Sequence, residues 1–147
     1  QTGAVDTKQA YFVFSSDMLV TRHVWQMEMM TRLMREASVR EGRLIEQATY
    51  IFDLKHFSMM PDSNEALKVF RLCLSLDQHH YPERLFRAYF INTPFLFRGV
   101  WKMVSPWVDP ATRKKFQILG SGSYTRTLLE DIPPESLPVE YGGTCTC

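Results

Sequence analysis

The stretch RAYFINTP, residues 87–94, joins a short apolar run to a signal for the start of a helix. Arg87 to Ile91 is short, apolar and rich in aromatic residues, which is typical of a buried strand. Pro94 is suited to a helix start, and the residues after it, Phe95 to Val104, are mostly large and apolar. The stretch therefore predicts a strand that leads directly into an apolar helix.

A second strand candidate lies upstream, from Ala48 to Leu54, and a helical segment separates the two. Asp62 and Glu65 form a variant of the capping box at the start of that segment. The spacing predicts that four of its residues point inward: Ala66, Phe70, Cys73 and Leu74. Strand, helix and strand in this order predict a right-handed βαβ unit with parallel pairing.

The rest of the chain extends this pattern on both sides. Ser16 and Asp17 are good N-cap types, and a long amphipathic helix with a methionine-rich stripe is predicted from there to near Gly42. A third strand is predicted from Phe116 to Leu119, followed by a helix from Ser123 to Leu129. Together these elements predict an α/β domain with a mainly parallel sheet flanked by helices.

Composition limits the function classes. The chain has 147 residues, which is the size of one domain, and 45% of them are hydrophobic. A formal net charge of +1 gives no general electrostatic argument for binding nucleic acid, so no nucleic-acid partner is expected. Three cysteines cannot all pair, which favours a reducing compartment. The apolar run Ala88 to Phe97 is too short to span a membrane.

The familiar signatures of enzymes are missing from the sequence. Gly120 to Gly122 lacks the rest of a dinucleotide-binding pattern, and no serine lies in a nucleophile-elbow context. The adjacent His79 and His80 point in different directions on a helix, so they cannot chelate a metal together. No second cysteine pair accompanies Cys145 and Cys147. We therefore expect no catalytic residue, no metal and no cofactor.

Two features remain, and together they suit a charged amphiphile. Arg84, Thr112, Lys114 and Lys115 form a candidate anion site. The helix after Pro94 and the residues that follow it carry more large apolar groups than one face can bury: Phe95, Phe97, Val100, Trp101, Val104 and Trp107. A solvated charge cluster beside an ordinary core helix is the other interpretation of the same residues.

At these residues the sequence resembles the CRAL-TRIO lipid-binding domain family, of the phosphatidylinositol-transfer type. The resemblance extends over about residues 20–143, within a domain taken as 1–147. It rests on strings in the family's order: Asp53-Leu54-Lys55, Tyr81-Pro82-Glu83-Arg84, Ile91-Asn92-Thr93-Pro94, Asp109-Pro110-Ala111-Thr112 with Lys115, Ile118-Leu119-Gly120, Ile132-Pro133-Pro134-Glu135-Ser136-Leu137-Pro138 and Glu140-Tyr141-Gly142-Gly143.

The resemblance implies a fold and a function. The fold would be a mainly parallel sheet flanked by helices that enclose a hydrophobic lipid pocket, and the family's N-terminal helical lobe and first strand would be missing here. The function would be non-catalytic binding and transfer of a phospholipid, phosphatidylinositol or a related phosphoinositide, by a cytoplasmic protein that is peripheral on membranes. The bound phospholipid would be a ligand rather than a cofactor. The partners would be that lipid, a membrane surface and possible protein complexes.

The resemblance also implies site residues. The lipid headgroup would be held by five residues near the anion site: Glu83, Arg84, Asp109, Thr112 and Lys115. A gate helix would open at a membrane and close over the acyl chains, with five contact residues: Phe95, Phe97, Val100, Trp101 and Val104.

The sequence departs from the family pattern at two places. His56 replaces the usual glycine after Asp-Leu-Lys. Phosphatidylcholine-binding members place hydroxyls at the positions of Ala48 and Tyr50, whereas Thr49 is one residue out of phase and is expected on the other sheet face. This argues against phosphatidylcholine as a second ligand. The alternative function is an interaction or scaffold subunit of a larger complex, with a filled or vestigial pocket, and an α/β enzyme is the least favoured.

Overall fold

A three-stranded parallel sheet forms the centre of the molecule. The computed structural model describes residues 15–55, 57, 63–122 and 124–146. Its strands are β1 (Ala48–Asp53), β2 (Leu85–Ile91) and β3 (Phe116–Ile118), in the order β1-β2-β3, and both neighbouring pairs run parallel. The predicted α/β class with a mainly parallel sheet is therefore confirmed.

Helices connect and flank the strands. In chain order the helical elements are α1 (Ser16–Glu41), α2 (Ser63–His80), α3 (Phe95–Val104), a 3₁₀ turn (Ser105–Trp107), α4 (Pro110–Arg113), α5 (Tyr124–Asp131) and two further 3₁₀ turns (Pro134–Ser136 and Val139–Tyr141). The prediction that an apolar helix follows Pro94 is confirmed, because Pro94 is the N-cap of α3.

The ends of α1 are set by local chemistry. The Ser15 side chain accepts a hydrogen bond of 3.3 Å from the Met18 backbone N–H and so satisfies a free donor of the first turn. The N-cap is therefore Ser15, one residue before the predicted Ser16 and two before the predicted Asp17. Gly42 ends the helix with φ 63°, a left-handed conformation that glycine adopts without steric cost.

The predicted inward face of α2 is wrong at one position. Phe70 is 39% exposed, whereas its neighbour Val69 is buried. One residue along an α-helix rotates a side chain by about 100°, so a small error in phase moves a large residue from the core to the surface. Glu65 of the predicted capping box is exposed, and Asp62 lies outside the described residues.

Alternation along the strands gives the sheet two different faces. One face, the closed face, packs against α5 and the chain after it. Its core consists of Tyr89, Ile91, Leu128 and Leu137, and each of these is at most 1% exposed. The opposite face, the aromatic face, carries Tyr50, Phe52, Phe90 and Phe116, and it lies towards α1 and α3.

Two further observations concern the described part of the chain. None of its helices is both long enough and apolar enough to cross a membrane. Cys73 is a free, half-buried thiol and Cys145 is disulfide-bonded, so the cysteines alone assign no redox compartment.

Candidate functional site

Phe90 is the centre of a continuous aromatic network on the aromatic face. Its ring centroid lies 5.0 Å from that of Phe52 and 5.7 Å from that of Phe116. From α3, the rings of Phe97 and Trp101 approach to 5.4 and 6.2 Å. Offset and edge-on rings at these separations attract one another. The network therefore forms a broad apolar surface across the sheet.

The described residues do not fully cover this surface. Phe52 is 38% exposed, while Phe90, Phe116 and Trp101 are only half-buried. The Tyr50 hydroxyl lies 3.0 Å from the Met30 sulfur of α1, which is a weak acceptor. Burial of this phenol, together with the negative charge of Asp77, raises the pKa of Tyr50 to about 12. Tyr50 thus stays neutral on a face that is apolar and partly open.

The five predicted gate residues lie on different sides of α3. Phe97 and Val104 are buried, Val100 is half-buried, and the half-buried Trp101 packs against Phe90 and Phe116 of the sheet. Phe95 is 85% exposed at the start of the helix, with the Arg98 guanidinium 5.7 Å from its ring centroid. The helix therefore has an inner side that belongs to the aromatic network and an apolar residue in solvent at its first turn.

The predicted headgroup residues gather at the amino-terminal edge of the sheet. Glu83 and Arg84 immediately precede β2, and Lys115 immediately precedes β3. The Lys115 ammonium forms a 3.0 Å ion pair with the Glu83 carboxylate. The Arg84 guanidinium lies 3.7 Å from the carboxylate of Glu46, which stands before β1. Parallel strands bring their amino ends together, so this edge collects charges from three distant segments.

Asp109 and Thr112 build the turn that presents Lys115. One Asp109 carboxylate oxygen accepts hydrogen bonds from the backbone N–H groups of Ala111 and Thr112, at 2.8 and 3.1 Å. The Lys115 N–H donates to the Thr112 carbonyl at 2.9 Å, and its own carbonyl accepts from Ala88 on β2 at 3.0 Å. Asp109 therefore acts here as a helix cap, while Lys115 is fixed at the sheet edge by its backbone.

Glu46 also lies at the amino-terminal edge of the sheet, which we call the charged edge, and the sequence did not predict it. Its carbonyl oxygen lies 3.4 Å from the same Arg84 nitrogen that faces its carboxylate. A signal for this pairing exists in the parallel register, since Ala48 N–H donates to the Arg84 carbonyl at 2.9 Å. Residues just before two paired parallel strands are neighbours, and these two carry opposite charges.

At the opposite edge of the sheet, residues of three family-like strings form hydrogen bonds with one another. The Asn92 side-chain amide donates to the Asp53 carboxylate at 2.9 Å, and the same oxygen accepts from the Lys55 N–H at 2.9 Å. The Thr93 hydroxyl donates to the Leu119 carbonyl at 2.8 Å. These residues tie the strand ends together rather than offering free groups to a ligand.

The two departures from the family pattern differ in outcome. Thr49 pairs with Arg87 in the strand register and so alternates away from the aromatic face, which carries Tyr50 instead. The hydroxyl of Thr49 is thus out of phase, as predicted. His56 lies outside the described residues.

Comparison with known proteins gives a family and several relatives. A model of the CRAL/TRIO domain matches residues 1–143. The chain is 35% identical to the SEC14 cytosolic factor of Eremothecium gossypii over 97% of its length and 46% of the relative. It is 34% identical to the Sec14 cytosolic factor of Schizosaccharomyces pombe over 100% of the chain and 51% of the relative.

A plant relative and a solved structure agree with these matches. The phosphatidylinositol/phosphatidylcholine transfer protein SFH7 of Arabidopsis thaliana is 31% identical over 99% of the chain and 26% of the relative. The crystal structure of Sfh5 superposes with a TM-score of 0.52 at 28% identity, covering 57% of this chain and 31% of that one. The chain thus spans about half, or less, of the length of these relatives.

Proposed function

The chain belongs to the CRAL/TRIO domain family, and we propose that it binds a phospholipid and transfers it between membranes without catalysing a reaction. The observation that carries the proposal is the partly open aromatic face of a sheet whose amino edge gathers two cations. Relatives described as phosphatidylinositol/phosphatidylcholine transfer proteins and as cytosolic factors support the same activity in a cytoplasmic protein that visits membranes.

The aromatic face would hold the acyl chains. Removing a methylene group from water is favourable by about 0.8 kcal/mol, so even a few methylenes on this surface give a strong preference over solvent. A lipid leaving a bilayer gains little of that energy, because its chains are in apolar surroundings before and after. Selectivity and rate therefore depend on the headgroup site and on the helix that covers the chains.

The charged edge would hold the headgroup, and an inositol phospholipid is the ligand that we favour. Lys115 and Arg84 supply positive charge for its phosphate, and charge-assisted contacts are about twice as strong as neutral ones. Glu83, with its side chain 79% exposed, is available to accept hydrogen bonds from ring hydroxyls. The filling of the Tyr50 position by a large phenol argues against phosphatidylcholine at that end of the face.

The first turn of α3 would meet the membrane. Phe95 is the most exposed aromatic side chain of that helix, and Arg98 and Lys102 add positive charge on an outer side four residues apart. Replacement of Phe97 and Trp101, two of the predicted gate residues, would also remove rings from the aromatic network. Replacement of Phe95 therefore tests membrane contact without removing a ring from the aromatic network.

The headgroup site is tested by comparing two lysines that each form an ion pair. Lys115→Ala removes a phosphate contact, so we expect the affinity of the full chain for vesicles containing phosphatidylinositol to fall by about tenfold or more. Lys68→Ala is the matched control, because Lys68 pairs with Glu65 at 3.2 Å on the exposed side of α2. Vesicle flotation and transfer of labelled phosphatidylinositol provide the measurements.

Equal effects of the two substitutions would contradict the headgroup assignment. Native mass spectrometry of the purified chain, followed by lipid extraction, tests the function more broadly. A co-purified phospholipid supports lipid binding. A stable complex with another protein, formed without any lipid, would instead favour the scaffold function.

A further inference from the structure

Glu46 faces the cation that the proposed headgroup site needs. Its carboxylate lies 3.7 Å from an Arg84 nitrogen, and its own carbonyl oxygen lies 3.4 Å from the same nitrogen. The two side chains are 56% and 31% exposed, so both are reachable from solvent. Glu46 therefore offers Arg84 two acceptors on one side. Its backbone carbonyl is fixed, and its side-chain carboxylate can move.

Two oppositely charged residues immediately before β2 pair with residues before its two neighbouring strands. Glu83 reaches towards β3 and pairs with Lys115, while its neighbour Arg84 reaches towards β1 and pairs with Glu46. Glu83 has a φ of 58°, in the left-handed region that is uncommon for residues other than glycine. The four formal charges of these two pairs cancel, so neither Arg84 nor Lys115 is a cation without a counter-ion.

An arriving phosphate must therefore replace a carboxylate rather than fill a vacant cationic site. The Lys115–Glu83 contact of 3.0 Å is a hydrogen-bonded ion pair, whereas 3.7 Å between Arg84 and Glu46 is longer than a hydrogen bond. The Glu46 carboxylate is thus the looser of the two counter-ions. Its departure leaves Arg84 held by the backbone carbonyl and still oriented.

We propose that Glu46 is a built-in competitor that must release Arg84 before a phosphate-bearing ligand binds, and so sets the affinity of the headgroup site. The inference rests on the proposed function where the phosphate belongs to a lipid. If Glu46 competes with the phosphate, removing its charge strengthens binding. If Glu46 only positions Arg84, the same replacement weakens binding. The direction of the effect therefore separates the two roles.

The test uses Glu46→Gln, which keeps the size and the backbone of the residue and removes its charge. Affinities are measured for vesicles containing phosphatidylinositol and for soluble glycerophosphoinositol, the same headgroup without acyl chains. We expect both to rise by about two- to fivefold, the range for loss of an exposed ion pair. Glu41→Gln is the control, because it removes the same charge from the exposed Arg40–Glu41 pair.

Each outcome decides between the two ideas. A rise confined to Glu46→Gln supports the inference, and an equal rise in Glu41→Gln overturns it by assigning the effect to net charge. Unchanged or weaker binding in Glu46→Gln, with normal binding by the parent chain, overturns the inference and leaves the lipid function standing. Tighter binding of glycerophosphoinositol alone, without vesicle binding by either protein, supports the inference and overturns the lipid function. Binding of neither probe by either protein overturns both.

Discussion

The two faces of the parallel sheet differ in how completely they are covered. On the closed face, Tyr89 and Ile91 lie under α5 and the chain after it and are at most 1% exposed. On the aromatic face, the neighbouring Phe52 keeps 38% of its surface exposed. Since adjacent strand residues point to opposite faces, one set of strands separates a stabilising core from a surface available to a ligand.

The closed face is fixed by the polypeptide after α5. A Cβ atom at Gly143 would clash with the backbone carbonyl of Leu137, and one at Gly142 would clash with the Thr125 side chain. Gly142 also has a φ of 93°, which disfavours any other residue. The string from Glu140 to Gly143 is thus a packing element, distinct from the strings that carry charge at the amino edge.

The largest expected effect contrasts one residue from each face. Ile91→Ala removes a fully buried side chain from the closed face, so we expect the free energy of unfolding to fall by about 2–5 kcal/mol. Phe52→Ala removes a larger side chain, but one that is partly in water in the folded protein, so its cost should be smaller. Urea unfolding of the two variants is the measurement, and an equal or greater loss for Phe52→Ala would contradict the contrast.

A smaller effect is expected when the same atom is removed from a tyrosine on each face. The Tyr89 hydroxyl donates to the Asp131 carboxylate, which also accepts from the Arg87 guanidinium at 2.9 Å. Tyr89→Phe should therefore lower the free energy of unfolding by about 1.5–3 kcal/mol, the range for a hydrogen bond to a charged group. Tyr50→Phe removes only a contact to the Met30 sulfur, so we expect the free energy of unfolding to fall by less than about 1 kcal/mol.

Chemical unfolding of both tyrosine variants at neutral pH checks this expectation. Far-ultraviolet circular dichroism verifies that each variant retains the fold of the parent chain. A loss of stability in Tyr50→Phe that matches the loss in Tyr89→Phe would mean that the aromatic face is as tightly bonded as the closed face. The contrast between the faces would then fail.

Local pattern was sufficient to predict the elements of this sheet. Short apolar runs bounded by turn signals predicted the strands now seen as Ala48–Asp53 and Leu85–Ile91, within two residues at each end. The start of α4 is local in the same way, because the Asp109 carboxylate caps the first turn and Pro110 suits the first helical position. These features depend on a few neighbouring residues, so the sequence contains all of their causes.

Contacts between distant segments were not predictable in the same way. The partner of Tyr89 is Asp131, 42 residues away, and the partner of Arg84 is Glu46, 38 residues away. Such pairs depend on strand register and on the packing of α5, which periodicity does not report. The resemblance supplied candidate headgroup residues, but not the counter-ion that faces Arg84.

The smallest expected effect is a change with pH in the stability that the Tyr89–Asp131 hydrogen bond gives to the closed face. The hydrogen bond from Tyr89 is the main reason that the pKa of the Asp131 carboxyl lies below its ordinary value of 3.8, and Arg87 adds to it. A carboxyl whose pKa is lower in the folded protein stabilises the fold above its unfolded pKa, and this contribution is lost as the pH falls through the folded pKa. The stability gap between the parent chain and Tyr89→Phe should therefore be full at pH 7 and shrink below about pH 5. Urea unfolding at pH 7, 5, 4 and 3 measures the gap, with Tyr50→Phe as a control whose gap should stay constant because its phenol is neutral throughout. A gap for Tyr89→Phe that is unchanged down to pH 3 would mean that the charge on Asp131 does not contribute to closing this face.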